Sequence, residues 1–119
     1  MLKNATGFRH IYLRCGYTDL RRGIDGLAMT IKGELGLDPY EQGSIYLFCG
    51  RRADRIKALV YEGDGFTLLY KRLADGRFQW PRSESEALLL TSQQIRWLLE
   101  GLKIEQPKAI REGKPGAMY

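Results

Sequence analysis

A group of basic side chains follows the turns in the middle of the chain, and its chemistry is that of anion binding. Arginine forks match the oxygens of phosphate and carboxylate groups. Arg21 and Arg22 would widen the group if their own turn lies beside it. The spacing therefore predicts a basic rim that contacts a nucleic-acid backbone, formed by Arg51, Arg52, Arg55, Lys57, Lys71, Arg72 and Arg77.

The elements that must position these residues are short strands joined by tight turns, in the run 44–80. Apolar, β-branched and aromatic residues alternate there with turn sequences such as Glu-Gly-Asp-Gly and Ala-Asp-Gly. If Gly63 and Asp64 form the centre of one hairpin, Arg55 faces Arg72 across it. If 50–53 is the loop of the preceding hairpin, Leu47 faces Ile56.

Alternation along these strands predicts two different sheet faces. The first is a core face, made of Ile45, Leu47, Cys49, Ile56, Ala58, Val60, Thr67 and Leu69. The second is aromatic at the Gly63 end and basic toward the loop at 51–52. Its members are Tyr46, Phe48, Arg55, Lys57, Leu59, Tyr61, Phe66, Leu68, Tyr70 and Arg72.

Further elements are expected on either side of this run. A strand is expected at 10–15 and another short strand at 76–81, whereas 87–90 fits either a strand or the approach to a helix. The apolar stripe at 24–35 predicts a helix that covers the core face of the sheet. A second helix is expected from Ser92 to Glu100, capped by Thr91 or Ser92.

Together these elements predict an α+β domain. Its sheet is curved, mainly antiparallel and about five strands wide, with a helix covering one face and a second short helix near the C-terminus. The domain is expected to span 1–102, and 103–119 is expected to be a flexible tail. The chain lacks an apolar run of the roughly 20 residues needed to cross a membrane. We therefore expect a cytoplasmic protein that does not bind membranes.

Composition and motifs favour binding over catalysis. The net charge of +5 is carried by residues 1–82, which hold fourteen basic and nine acidic residues. The lone His10 cannot complete a zinc or hydrolase site, and no phosphate-binding glycine motif occurs. Cys15 and Cys49 are expected to be reduced, buried thiols. We expect no cofactor, no metal and no catalytic residues. A metal-dependent nuclease that uses Asp54 remains a minority alternative.

The expected pairing of Arg55 with Arg72 has two explanations. Like charges opposite each other in an antiparallel pair are unfavourable unless an anion relieves them. Asp54 or Glu41 could neutralise the pair and leave an ordinary solvated surface. Alternatively, a phosphate backbone supplies the negative charge, with Tyr46, Phe48 and Tyr70 available for base stacking. The residues alone leave both explanations open.

Three stretches of the chain resemble one known family. They are CGYTDLRRGIDGLA at 15–28, GRRADRIKALVYEGDGF at 50–66 and LLYKRLADGRFQWP at 68–81. Together they resemble the TnpB, or Orf2-like, accessory protein of the IS66 group of bacterial insertion sequences, over about residues 9–102. This resemblance implies a small protein that acts in transposition beside a separate transposase and a second accessory protein. It implies no catalytic residue, and the unrelated RNA-guided nuclease of the same name is several times longer.

Two functions follow as hypotheses, in addition to the nuclease. The first is a non-enzymatic accessory protein that binds the DNA backbone through the basic rim, widened by Arg21 and Arg22. The second is a protein-interaction module that bridges or regulates the transposase, or forms a homo-oligomer. Its surface would be an exposed aromatic patch formed by Tyr46, Leu59, Tyr61, Phe66 and Leu68.

Overall fold

The computed structural model describes residues 7–83, 85–108 and 110, which form a five-stranded mixed sheet with helices. In chain order the elements are β1 (His10–Arg14), α1 (Ile24–Met29), β2 (Ser44–Cys49), β3 (Arg55–Tyr61), β4 (Phe66–Arg72), β5 (Ala87–Leu90) and α2 (Ser92–Leu99). Helix α1 continues directly into a π-helical turn over Thr30–Glu34. This confirms the predicted α+β class. Within the described residues, neither helix is both long and apolar enough to cross a bilayer.

The strands lie in the order β4-β3-β2-β1-β5. Strand β1 is parallel to β2 and antiparallel to β5, whereas β2, β3 and β4 form an antiparallel meander. Parallel neighbours need a long crossover connection, and here α1 lies within the crossover between β1 and β2. Every residue of the central strand β2 is buried.

The second predicted hairpin register is confirmed, and the first is shifted by two residues. Arg55 pairs with Arg72 across β3 and β4 as expected. Across β2 and β3, however, Leu47 pairs with Ala58 rather than Ile56. The loop lies one residue further along the chain than predicted, at 51–54, since the Gly50 N–H donates to the Arg55 carbonyl, 3.1 Å away. A shift of two keeps each side chain on its predicted face, since the strand period is two.

The prediction that the first helix covers the core face is wrong. Leu27 and Ile31, which have no exposed surface, pack with three buried residues of the second face. Those three are Tyr46, Phe48 and Leu59. Both faces of β2 are apolar, so periodicity alone could not show which face the crossover helix covers.

The opposite face is covered by α2 and by the segment that precedes β5. Ile95 and Leu98 of α2 pack with Phe78 and Trp80 against the first face. The predicted strand at 76–81 is wrong, because this described segment is irregular and does not pair along its length with any strand of the sheet. Isolated hydrogen bonds join it to the sheet, such as the 2.8 Å hydrogen bond from the Trp80 indole N–H to the Arg14 carbonyl. The fifth strand is β5, which resolves the alternatives left open at 87–90.

The ends of α2 follow the predicted chemistry. The Thr91 hydroxyl accepts from the Gln94 N–H while the Gln94 side chain accepts from the Thr91 N–H, which is a capping box. Gly101, with φ of +82°, follows the helix. The domain boundary at residue 102 stays a prediction. Ile104 packs against the core, and most of the predicted tail lies outside the described residues.

Candidate nucleic-acid interface

A groove forms where the β2–β3 loop meets the segment that follows β1. The two pieces are joined by a 2.8 Å bond from the Thr18 N–H to the Cys49 carbonyl. Gly50 permits their close approach, because a Cβ atom at Gly50 would lie 3.2 Å from Leu20 Cδ1. The groove has a volume of about 630 Å³, and we call it the arginine groove. It is lined by Tyr17, Thr18, Asp19, Leu20, Arg21, Gly50, Arg51, Arg52, Arg55 and Tyr70.

The loop that carries Arg51 and Arg52 is tight and anchored. The Ala53 N–H donates to the Gly50 carbonyl at 2.9 Å, which closes a turn around the two arginines. Ala53 has φ of +57°, a left-handed conformation that costs a residue with a Cβ atom about 1 kcal/mol. The Ala53 methyl is buried, and its carbonyl accepts from the Phe78 N–H at 2.7 Å. Packing and this bond therefore hold the loop in place.

Two arginines of the groove form ion pairs with neighbouring aspartates. Arg21 donates hydrogen bonds to the Asp19 carboxylate from Nε and Nη2, and the Nη2–Oδ2 distance is 2.8 Å. The hydrogen bonds from Arg21 lower the pKa of Asp19 to about 2, so this carboxylate stays charged over the physiological range. Arg55 Nε lies 3.1 Å from Asp54 Oδ1, and this hydrogen bond lowers the pKa of Asp54.

The other two arginines of the groove remain available for a ligand. Arg51 and Arg52 are exposed, and no carboxylate of the described residues lies within ion-pair distance of either. The lining holds four guanidinium groups and the Asp19 carboxylate, and Asp54 pairs with one of the four, so two guanidinium groups have no ion-pair partner among the described residues. Guanidinium groups in this state match the phosphates of a nucleic-acid backbone.

An exposed aromatic ring borders these arginines. The Tyr70 side chain is 54% exposed and lines the groove beside Arg55. Lys57 Nζ lies 5.8 Å from the centre of the Tyr70 ring and donates to the Arg22 carbonyl at 3.0 Å. An open ring beside cations is the arrangement on which nucleic-acid bases stack. Phe48 and Tyr46, which were also expected to stack on bases, are buried and unavailable.

The predicted basic rim divides into two groups. All seven cations lie toward one end of the sheet, but Lys71 pairs with Ile56, whose side chain belongs to the first face. Lys71 therefore lies on the face opposite Tyr70 and Arg72. Arg77 lines a second groove, which it shares with Arg52 and Asp54. Alternation along β4 already separates Lys71 from Arg72, so the expectation of a single rim overlooked the sheet face, whereas the position of Arg77 depends on the path of an irregular segment.

Arg22 lies beside the groove and is held by the helical segment. Its Nη1 donates to the Thr30 hydroxyl at 2.7 Å and lies 3.6 Å from Glu34. Arg14 donates to the same carboxylate at 2.6 Å and to the Thr18 hydroxyl at 2.9 Å. These contacts fix the segment after β1 relative to the helical turn.

Sequence reasoning missed Tyr17 and Arg82. Tyr17 lines the arginine groove and also a neighbouring groove beside Trp80. The Arg82 guanidinium lies 4.7 Å from the centre of the Tyr17 ring, and Arg82 also donates to the Tyr17 hydroxyl. The Tyr-Thr-Asp sequence after Gly16 marks the end of β1 and could have indicated Tyr17 as a site residue. Nothing in that sequence indicated that Pro81–Ser83 lies close to Tyr17.

The predicted aromatic patch is not an open surface. Tyr46 and Leu59 are buried beneath α1, with 1% and 0% of their surface exposed. This follows from the position of the first helix on the second face. Tyr61, Phe66 and Leu68 are half-buried at or near the Gly63 end, where the first two rings pack against Tyr40. The five residues therefore do not form the exposed patch that was expected.

The remaining candidates for chemistry are structural. Burial raises the pKa of the Cys49 thiol to about 12, and Cys15 Sγ lies 3.2 Å from Ser83 Oγ. His10 Nδ1 lies 3.0 Å from Glu41 Oε1. Within the described residues, no three His, Cys, Asp or Glu side chains cluster as metal ligands.

The fold and the groove define a small α+β protein whose candidate site is an arginine-lined groove at one end of a mixed sheet. The chain belongs to the IS66 Orf2-like family, since the family described as "IS66 Orf2 like protein" matches residues 9–109. This confirms the resemblance seen in the sequence. The members of this family are accessory proteins of IS66 insertion sequences.

Two similar proteins come from Sinorhizobium fredii (strain NBRC 101917 / NGR234). Uncharacterized protein y4hO is 34% identical over 108 residues, which cover 91% of this chain and 92% of that protein. Uncharacterized protein y4jC is 34% identical over 84 residues, which cover 71% of each chain. No solved structure matches the chain.

Proposed function

We propose that this accessory protein binds the DNA of its insertion sequence through the arginine groove, and that it does so without catalysing a reaction. The observation that carries the proposal is the state of Arg51 and Arg52. They are adjacent and exposed, and no carboxylate of the described residues lies within ion-pair distance of either. A tight, anchored loop presents them, so little backbone conformational entropy is lost when they bind an anion.

The contacts that the groove offers are directed at the backbone rather than at bases. Arginines in a loop beside an open groove reach phosphate oxygens, and phosphate contacts position a protein without reading sequence. Neither helix presents side chains to the groove, because its lining comes from loops, from Arg55 at the start of β3 and from Tyr70 of the edge strand β4. Tyr70 adds a stacking surface for an unpaired base. We therefore expect weak sequence preference and strong dependence on salt.

The experiment is a titration of a labelled DNA duplex, and of the same strand unpaired, at several salt concentrations. Each neutralised phosphate contributes roughly −0.9 to the slope of log affinity against log salt for duplex DNA, so the two arginines without an ion pair predict a slope of about −2. Replacing Arg51 and Arg52 together by alanine should flatten the slope by about 2.

The matched control is Arg96→Ala, which removes an exposed arginine of α2 that lies outside the groove. This variant should bind DNA like the wild type. A flat salt response in the wild type, or equal loss of affinity in the control and in the groove variant, would exclude the arginine groove as the binding surface.

A further inference from the structure

Strand β4 forms an open edge of the sheet. It pairs with β3 on one side and with no described strand on the other. The Leu73 N–H donates to the Asp54 carbonyl at 2.7 Å, and the Glu62 N–H donates to the Gly65 carbonyl at 2.8 Å. In an antiparallel pair the residues that bond to the neighbour alternate along the strand. The odd-numbered residues of β4 therefore bond to β3, and the even-numbered residues direct their N–H and C=O groups outward.

The outward edge is open to pairing over most of its length, since its charged residues, Lys71 and Arg72, lie only at its end. β4 is seven residues long and contains neither proline nor glycine. The outward backbone groups belong to Phe66, Leu68, Tyr70 and Arg72, and no described residue bonds to them. A long edge of this kind is a template for another strand. The opposite edge is shorter, since β5 has four residues and leads directly into α2.

The side chains along this edge are self-complementary when the strand runs antiparallel to a copy of itself. With a two-fold axis at Leu68, that residue meets its own copy, and Phe66 meets Tyr70 of the second chain. Two residues further out, Arg72 lies opposite Asp64 in the hairpin turn of the second chain. Along the edge the side chains are therefore acidic, aromatic, aliphatic, aromatic and basic. When a second copy runs in the opposite direction, each acidic side chain meets a basic one and each aromatic ring meets another.

We propose that two copies of this chain pair through their β4 edges, antiparallel and centred on Leu68, to form a continuous ten-stranded sheet. Charge favours this arrangement over a parallel one, which would place Arg72 against Arg72 of the second copy. It also covers the Tyr70 ring, 54% exposed in the single chain, on the side next to Phe66 of the second copy. The outward N–H and C=O groups would then find partners.

The symmetry of such a pair has a consequence for the arginine grooves. A two-fold axis perpendicular to a sheet keeps each face on the same side, so both grooves would open on one surface of the dimer. Two sites on one surface bind a long polyanion more tightly than one site does. The dimer itself does not depend on DNA binding, because Arg51 and Arg52 lie in the β2–β3 loop and not on the edge.

The test is a charge exchange between Asp64 and Arg72, both of which are exposed. Light scattering should give twice the 13.6 kDa chain mass for the wild type. Asp64→Arg and Arg72→Asp should each raise the dimer dissociation constant about tenfold, because each removes two symmetry-related ion pairs. The double exchange, D64R with R72D, should restore dimerisation. Glu100→Arg and Arg96→Asp make the same charge changes on and beside α2 and should have no effect.

Hydrogen exchange supplies a readout that does not depend on substitution. The amides of Leu68 and Tyr70 should exchange more slowly as the protein concentration rises, whereas the Leu69 amide, bonded to β3, should be protected at every concentration. A monomeric mass at all concentrations, failure of the double exchange to restore the dimer, or fast exchange at Leu68 in the dimer would each overturn the proposal. The R51A/R52A variant should still form the dimer. The outcome of the dimerisation test is therefore independent of whether the arginine groove binds DNA.

Discussion

Arg55 on β3 lies directly opposite Arg72 on β4, so two guanidinium groups face each other across an antiparallel pair. Asp54 pairs with Arg55, and no described carboxylate lies within ion-pair distance of Arg72. Like charges in this position are destabilising. Asp54 relieves part of this repulsion, and Arg72 remains as a second cation directly opposite Arg55.

Replacing Arg72 by glutamate should therefore stabilise the monomer. The new carboxylate would face Arg55, and the free energy of unfolding at low salt should rise by roughly 0.5 kcal/mol. Urea denaturation at a protein concentration below that of association measures this. Arg72→Gln should give a smaller rise, and added salt should reduce both effects. A loss of stability in the glutamate variant would show that Arg72 makes favourable contacts of its own.

Ala53→Val tests the conformation of the loop that carries Arg51 and Arg52. A β-branched side chain is strongly disfavoured at the φ of +57° found there, and the site is buried. We expect a loss of about 2 kcal/mol or more in the free energy of unfolding. Chemical denaturation provides the measurement. Ala74→Val is the matched control, because Ala74 is exposed and lacks a positive φ, and its effect should be small.

Stability should fall at alkaline pH because of Cys49. Burial, with a smaller effect from Asp54, raises the pKa of this thiol from 9.0 to about 12. The folded protein thus holds the proton more tightly than the unfolded chain. This contribution is complete below pH 9 and is lost as the pH rises toward 12, at up to about 1.4 kcal/mol per pH unit.

Denaturation at a series of pH values from 8 to 11 compares the wild type with Cys49→Ala and Cys15→Ala. The Cys49 variant should be less stable at pH 8 but lose less stability as the pH rises. Burial also raises the pKa of Tyr46, to about 12. The Cys49 variant should therefore still lose some stability at alkaline pH. Equal pH dependence in all three proteins would mean that the Cys49 thiol ionises as easily in the folded protein as in the unfolded chain.

Thr91→Ala should loosen α2. Thr91 is the N-cap of that helix and forms both bonds of a capping box with Gln94. Its loss should cost about 1 kcal/mol in the free energy of unfolding. Thermal or chemical unfolding checks this value, with Ser92→Ala, one residue along the chain, as the control. Similar losses in both variants would indicate that the cap is not the source of the stabilisation.

Local patterns correctly predicted the pairing of β3 with β4 and the start of α2. The Gly63–Asp64 turn set the register that brings Arg55 opposite Arg72, and the Thr91 cap marks the start of α2. Both depend on interactions between residues close in sequence, or on one turn. The alternation along β3 also placed Lys57 and Tyr70 on one face, where they lie close together.

Long-range choices were harder to predict. Either face of β2 could accept the first helix, because all six residues of that strand are apolar or small. The meeting of Tyr17 with the Gly50 loop depends on β1 lying beside β2, which alternation does not reveal. A parallel β1–β2 pair requires a crossover, and recognising one would have placed α1 over a single face of the sheet. The aromatic patch was wrong for the same reason, since that face is the one α1 covers.

The position of β1 between β2 and β5 has a consequence for assembly of the chain during synthesis. The meander of β2, β3 and β4 joins near neighbours in sequence and can form as soon as it emerges from the ribosome. The first strand to be made, by contrast, gains its outer neighbour only when residues 87–90 have been added. Until then, one side of β1 has unpaired backbone groups, so the sheet is complete only after residue 90 has been added.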